Sequence, residues 1–266
     1  MANLTEELKR DLIATAHALA DAARDATLLH FRKPGLSADS KDQDRFDPVT
    51  VADRLAEERM RAVLGQRRPE DAILGEEYGG RAGTSGLTWV LDPIDGTRGY
   101  LSGTPTWGVL ISVADESGPI YGLIDQPYIR ERFEGGFGLA RGLGPSGAFA
   151  LASRAPRPLA DAILLSTFPE VGTADEHAAF RHVADGVRLV RYGMDCYGYA
   201  LIAAGQVDLV IEAGLQPYDV QAPIAVIEAA GGVVTDWQGG MCHQGGQVLA
   251  AANRAVHAEA MALLNG

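Results

Sequence analysis

Cysteine is almost missing from this chain, with only Cys196 and Cys242 among 266 residues. They are not in a CxxC spacing, so a disulfide framework and a thiolate-held zinc are both excluded, and both are expected as reduced thiols. Basic residues are also scarce: 23 Lys and Arg stand against 35 Asp and Glu, a net charge of -12. Such a chain lacks the clustered cations that grip a nucleic-acid backbone, so no nucleic-acid partner is expected. A phosphorylated ligand would need bound cations as intermediaries. No apolar run reaches the length of a membrane span, and Met1 to Arg32 is a charged amphipathic stretch rather than a secretory signal. No membrane partner and a cytoplasmic location are therefore expected. The six histidines lack HxxxH or HExxH spacing. Repeats and low-complexity tracts are absent as well.

Apolar residues make up 47% of the chain, ample for a core, and the length suits one compact unit or two fused layers. Leu4, Leu8, Leu12, Ala16, Leu19 and Ala23 recur at helical spacing and predict a first helix reaching Phe31. Lys33 to Asp47 reads as a loop, and Thr50 with Asp53 forms a capping box opening a second helix to about Leu64. Short β-like runs follow at 72–74, 88–91, 107–113, 120–124 and 132–137, read as a mixed or antiparallel sheet. Gly135 to Gly142 reads as a turn region rather than a nucleotide loop, and Trp107 as core rather than a stacking platform. After Ser153, strands at 163–166, 187–190, 207–212, 233–237 and 248–251 alternate with helices at 175–184, 197–204, 219–229 and 255–263. The expected fold is α+β to α/β, a layered αβαβα sandwich. Its halves are 1–150, with most of the candidate ligands, and 151–266, which completes the site.

The chemistry concentrates in carboxylates. Trp89-Val90-Leu91-Asp92-Pro93-Ile94-Asp95-Gly96-Thr97 sets two acids after an apolar strand, with Pro93 stopping the strand and Gly96 permitting a tight turn. Two acids converging on one point repel, and the repulsion is relieved by a raised pKa or by a divalent cation. Oxygen donors of this kind suit magnesium. An isolated DPxDG is more often a solvated turn, and Asp219 alone reads as an N-cap. The sequence repeats the pattern, however: Glu76 and Glu77 follow Ala72 to Leu74, and Glu212 and Asp219 lie between a strand and a helix start. Strand followed by acid, three times over, is how a sheet edge gathers ligands from distant parts of a chain.

With these motifs assembled, DPVTVAD at 47–53, GEEYG at 75–79, WVLDPIDGT at 89–97 and the segment at 217–239 resemble the inositol monophosphatase superfamily in order and spacing. The stretches at 102–108 and 191–199 resemble its histidinol-phosphatase branch. The resemblance implies that Glu76, Asp92, the Ile94 carbonyl, Asp95 and Asp219 hold two or three Mg2+ ions. It implies that Gly96 and Thr97 meet the phosphate, that Asp47 and Thr97 orient the attacking water with Glu76 as a further catalytic group, and that Glu212 contacts the leaving group. Arg98-Gly99-Tyr100 departs from many members and bears on the pocket rather than on the metal core. Glu77 is not expected to be a ligand.

These parts suit hydrolysis of a phosphate monoester, which demands roughly 20 kcal/mol of barrier reduction. The expected route is direct in-line attack by a metal-activated water. Asp95 is not read as a nucleophile, because the acids of DPIDGT stand three residues apart rather than one as in aspartyl-phosphate enzymes. For a leaving group carrying imidazole and amine, Asp195 and Glu212 are the acidic partners, with Arg191 nearer phosphate. Read without the resemblance, Arg191 is a surface ion pair and Asp195 a helix cap. The leading expectation is histidinol-phosphate phosphatase in histidine biosynthesis, acting as a homodimer on a small phosphorylated metabolite. The rivals are inositol-1-monophosphatase, another small phosphomonoesterase, or a regulatory binding protein that kept the fold and lost turnover.

Overall fold

The structure is a computed structural model that describes residues 4–40 and 48–266. In chain order, α1 (Glu6–Thr27), β1 (Ala38–Ser40), β2 (Pro48–Thr50) and α2 (Val51–Arg67) come first. β3 (Ala72–Gly75), β4 (Gly79–Arg81) and β5 (Thr88–Asp95) lead to the short α3 (Thr97–Ser102). β6 (Gly108–Asp115), β7 (Gly118–Gln126), β8 (Glu131–Gly136), β9 (Leu139–Gly144) and β10 (Gly147–Ala150) follow as a meander. The remainder comprises β11 (Ile163–Ser166), α4 (Ala174–Gly186), β12 (Leu189–Tyr192), α5 (Asp195–Ala203) and β13 (Leu209–Leu215), then α6 (Pro217–Ala229), β14 (Val233–Thr235), β15 (Gly246–Ala251) and α7 (Arg254–Leu264).

Local chemistry explains where the helices start. The Thr5 hydroxyl accepts the Leu8 N–H at 3.2 Å, and Glu6 and Glu7 face the positive end of α1. Its stripe of Leu12, Ala16, Leu19 and Ala23 is fully buried. The helix stops at Thr27, short of the predicted Phe31; the chain runs on in turns closed by the His30 and Phe31 N–H groups on the Thr27 carbonyl, Phe31 packs on Tyr100 and Trp107, and Arg32 has a positive φ of 57°. α2 opens with the Thr50–Asp53 capping box read from the sequence.

Two sheets organise the layers. The eight-stranded sheet has the order β10-β9-β8-β7-β6-β5-β3-β4 and is antiparallel except where β3 runs parallel to β5. The five-stranded sheet has the order β12-β11-β13-β15-β14, with β11 parallel to both β12 and β13. α1 and α2 bury Leu12, Leu19 and Met60 against Trp89, Ile111 and Leu123 on one face of the large sheet. α5 and α6 lie between the sheets, where Tyr199, Val220 and Ile227 share a core with Leu110, Ile124 and Phe133 of one sheet and Val210 and Val248 of the other. α4 and α7 cover the far face of the small sheet through Phe180, Val183, Val256 and Ala260. The order of layers is αβαβα, as expected. Contact between α6 and the large sheet is so close that a Cβ at Gly122 or Gly135 would collide with the Ala222 or Ala225 carbonyl.

Some elements were absent from the sequence reading. β9 and β10 fall in and beyond the segment read as a turn region; only Phe137 and Gly138 form the turn. β10 is exposed throughout, so it carries no apolar alternation to reveal it. α3 and β4 are six and three residues long, too short for a periodic signal. Trp107 is fully buried beside Tyr100, as a core residue.

Candidate active site

β5 ends in a bulge. Asp92 pairs with Leu110 and Asp95 with Gly108, so the register shifts across Pro93 and Ile94. Pro93 has no N–H to give the ladder, and the Ile94 N–H turns back to Asp92 Oδ1 at 2.9 Å. The Ile94 side chain is buried with Phe31, Ala52, Tyr100 and Trp107, which holds its peptide in place. Asp95 Oδ2 accepts the Cys196 N–H at 2.6 Å, in the first turn of α5. On α6, Asp219 completes a capping box by accepting the Gln216 N–H at 2.7 Å. Asp219 is therefore a helix cap and also a member of the cluster: Asp92, Asp95 and Asp219 each bring an oxygen within 4.8 Å of the others.

Glu76 sits in the turn between β3 and β4. Its N–H donates to the Leu91 carbonyl at 3.2 Å, which places it beside β5, and its carboxyl shares a hydrogen bond with Asp92. Burial, reinforced by the charges of Glu76, Asp95 and Asp219, pushes the Asp92 carboxyl well above the usual range. Burial and the charges of Asp195, Asp219 and Glu212 do the same to Asp95. A cluster of oxygen donors that repel one another in this way fits a hard divalent cation.

Gly96, with φ of 83°, turns the chain from β5 into α3. Thr97 Oγ1 lies 3.3 Å from Asp53 Oδ1 and 3.2 Å from the Ile94 carbonyl. Asp53 also accepts the Thr50 N–H at 2.9 Å and the Thr50 hydroxyl at 2.6 Å. Burial raises its carboxyl to about 6, against the lowering effect of the Thr50 bonds. Asp53 is thus more than a cap. In the sequence, DPVTVAD gives Asp53 only as the partner of its one threonine, Thr50, while Thr97 stands 44 residues away.

These groups open into a cleft of about 870 Å³ lined by Glu76, Asp92, Asp95, Thr97, Asp195 and Glu212 among others. Asp195 has φ of 45°, accepts from the Thr106 hydroxyl at 3.1 Å, and lies against Gly96, where a Cβ would stand 2.6 Å from its Cγ. Burial raises the Asp195 carboxyl, opposed by the Thr106 bond and the Arg98 charge. The Arg98 guanidinium itself lies over the Phe168 ring, 4.8 Å from its centroid. Glu212 is buried and holds the Thr167 N–H at 2.9 Å and the Tyr199 hydroxyl at 2.7 Å.

Two expected residues do not join this group. Arg191 is exposed on β12, an edge strand, and does not line the cleft. Asp47 lies outside the described residues.

The inositol monophosphatase family model matches residues 8–265. The chain is 43% identical over 228 residues to the bifunctional phosphatase IMPL2, chloroplastic, of Arabidopsis thaliana, a match covering 85% of this chain and 64% of that relative's length. It is 33% identical to the histidinol-phosphatase of Mycobacterium tuberculosis, covering 97% of this chain and 99% of the relative. Among solved structures, an inositol monophosphatase from Zymomonas mobilis superposes with a TM-score of 0.85 at 36% identity, covering 97% of this chain and 98% of that one. No helix among the described residues is long and apolar enough to cross a membrane. The fold, the clustered carboxylates and these likenesses together make the chain a member of the inositol monophosphatase family, a family of metal-dependent phosphatases.

Proposed function

We propose that this protein is a magnesium-dependent phosphomonoesterase that hydrolyses L-histidinol phosphate to L-histidinol and phosphate, as a step of histidine biosynthesis in the cytoplasm. The observation that carries the reading is the meeting of Asp92, Asp95 and Asp219 within 4.8 Å, at the foot of a cleft that also holds Asp195 and Glu212. Relatives named histidinol-phosphatase, 33% and 35% identical and matched over nearly their full length, support the choice of substrate.

Glu76, Asp92, the Ile94 carbonyl, Asp95 and Asp219 would hold two or three Mg2+ ions. Bound magnesium supplies charge neutralisation at the phosphoryl and leaving oxygens and acidifies water. The chain's own residues do the positioning. Gly96 and Thr97 offer backbone N–H groups to the phosphate at the turn into α3. Thr97, donating its hydroxyl proton to Asp53, keeps oxygen lone pairs with which to receive a hydrogen bond from the attacking water. Asp47 is proposed to act with Thr97, and Glu76 to orient the same water. Asp195 and Glu212 face a cationic leaving group and would bind the imidazole and amine of histidinol more favourably than a neutral polyol. A homodimer is proposed as well. Any contribution of Arg191 would then reach the substrate from a second copy, since it stands away from the cleft of its own chain.

Inositol-1-phosphate is the second reading, favoured by the Zymomonas mobilis structure and by a 34% identical inositol-1-monophosphatase from Mesorhizobium japonicum. The test is phosphate release from L-histidinol phosphate and from myo-inositol 1-phosphate, side by side, with Mg2+ and with EDTA. A Mg2+-dependent preference for histidinol phosphate is expected. Preference for the inositol ester sinks the substrate choice and keeps the chemistry, whereas no release with Mg2+ from these or any other small phosphate monoester tried returns the fold to a binding role.

A further inference from the structure

α2 carries a second buried acid one turn after Asp53. Glu57 is fully buried, on the same face four residues on, yet it neither lines the cleft nor belongs to the carboxylate cluster. A buried carboxylate is costly unless its oxygens are bonded. Glu57 Oε2 accepts the Glu77 N–H at 2.7 Å, and Oε1 accepts the Tyr78 N–H at 3.2 Å and Arg61 Nε at 2.7 Å. Arg61 then donates to the Gly79 carbonyl. The pair therefore grips residues 77, 78 and 79 in succession, immediately after Glu76. On its other side Glu76 is tied by its N–H to Leu91, next to Asp92. The preceding residue has yielded to this arrangement: a Cβ on Gly75 would collide with Glu57 Oε1 and stand 2.9 Å from Arg61 Nη2. An i,i+4 Glu–Arg pair needed only for helix stability could sit on the exposed face and would demand no glycine opposite.

We infer that Glu57 is a positioning residue for the cation site: it locks the turn that carries Glu76 and so sets how tightly the site holds Mg2+, without touching metal or substrate. The inference rests on the proposed magnesium dependence and not on the choice of substrate. α2 becomes a ruler, with Asp53 fixing Thr97 and Glu57 fixing Glu76 from adjacent turns.

The test is calorimetric Mg2+ binding to the full chain without substrate, for the parent, Glu57→Gln and Gly75→Ala. The glutamine has a single acceptor oxygen, so at least one backbone N–H loses its carboxylate partner; the alanine methyl displaces the carboxylate without deleting it. The Mg2+ dissociation constant is expected to rise on the order of tenfold in both variants, with kcat restored at saturating Mg2+. Folded variants that bind Mg2+ within about twofold of the parent, whatever their melting temperature, overturn the inference, as does failure of both to fold. A parent that binds no Mg2+ overturns it together with the metal reading. Calorimetry needs no turnover, so an error in the substrate leaves the result readable.

Discussion

Two regions of this molecule bury charge on opposite faces of the large sheet, and they do it in opposite ways. Between α1 and strands β7 and β8, the buried acids Asp125 and Glu134 have cationic partners. Asp125 meets Arg24 at 2.6 Å and Arg132 at 2.7 Å, and Glu134 takes bonds from His17, Tyr121 and Arg141. At the cleft, Asp92, Asp95 and Asp219 instead bring oxygens within 4.8 Å of one another, with Glu76 beside them. The pKa directions follow. Although burial alone would raise it, the bonds from His17, Tyr121 and Arg141 hold Glu134 down at about 2. Burial and mutual repulsion push Asp92 and Asp95 up. The same residue type is a fastener in one place and, in the other, part of a cluster suited to a bound cation.

The sharpest way to break the comparison is to neutralise one acid in each region. Asp92→Asn is expected to lower kcat/KM by on the order of 10³-fold, about 4 kcal/mol, while the metal-free chain melts no lower than the parent because a repulsion has been removed. A large fall in its melting temperature would show that Asp92 is structural. Glu134→Gln should do the reverse, with chemical denaturation showing a loss of about 3 kcal/mol and an unchanged kcat per folded molecule. Because the Glu134 pKa is depressed, its contribution is present above the ordinary 4.5 and is lost as pH falls toward about 2. The variant's acid-unfolding curve should be flatter across that window.

Magnesium should distinguish the regions in the intact chain. At a hundred times its dissociation constant it is expected to stabilise the fold by about 2.7 kcal/mol, read as an EDTA-sensitive rise in melting temperature. In the metal-free chain, stability should fall as pH rises through the elevated pKa values of Asp92 and Asp95, since ionisation there costs energy. Mg2+ should abolish that slope. A metal-free chain with no such slope would show that the repulsion among these carboxylates is already compensated within the chain. The smallest effect concerns Asp53. With its carboxyl at about 6, kcat should decline about tenfold per pH unit below that value as Asp53 protonates and Thr97 loses its charged acceptor. In Asp53→Asn this limb should disappear from the pH profile.

The legible parts of the site were the local ones. WVLDPIDGT announces a strand, a stop and two acids within nine residues, and the strand–acid pattern around Glu76 and Asp219 is equally short-range. Asp53 shows the limit of that legibility. Its bond to Thr50 is three residues away and was read as a capping box, whereas its bond to Thr97 spans 44 residues and was not. Arg191 shows the converse: the resemblance suggested the pocket, whereas read alone it is a surface residue, and the structure exposes it on β12 at the edge of the small sheet. Glu57 reads as one more charge on a helix until Gly75 and the turn after it arrive from another strand.

By itself the sequence determined the helix caps, the strand ends, the charge balance and the identity of the acids, because each depends on neighbours within a few residues or on composition alone. Tertiary structure alone decided which oxygens meet within 4.8 Å, that Asp125 and Glu134 find cations, and which glycines give way to a neighbour. Those outcomes depend on pairing β5 with β6 and on α6 packing across the large sheet. Contacts between residues a hundred positions apart leave no periodic trace in a single chain.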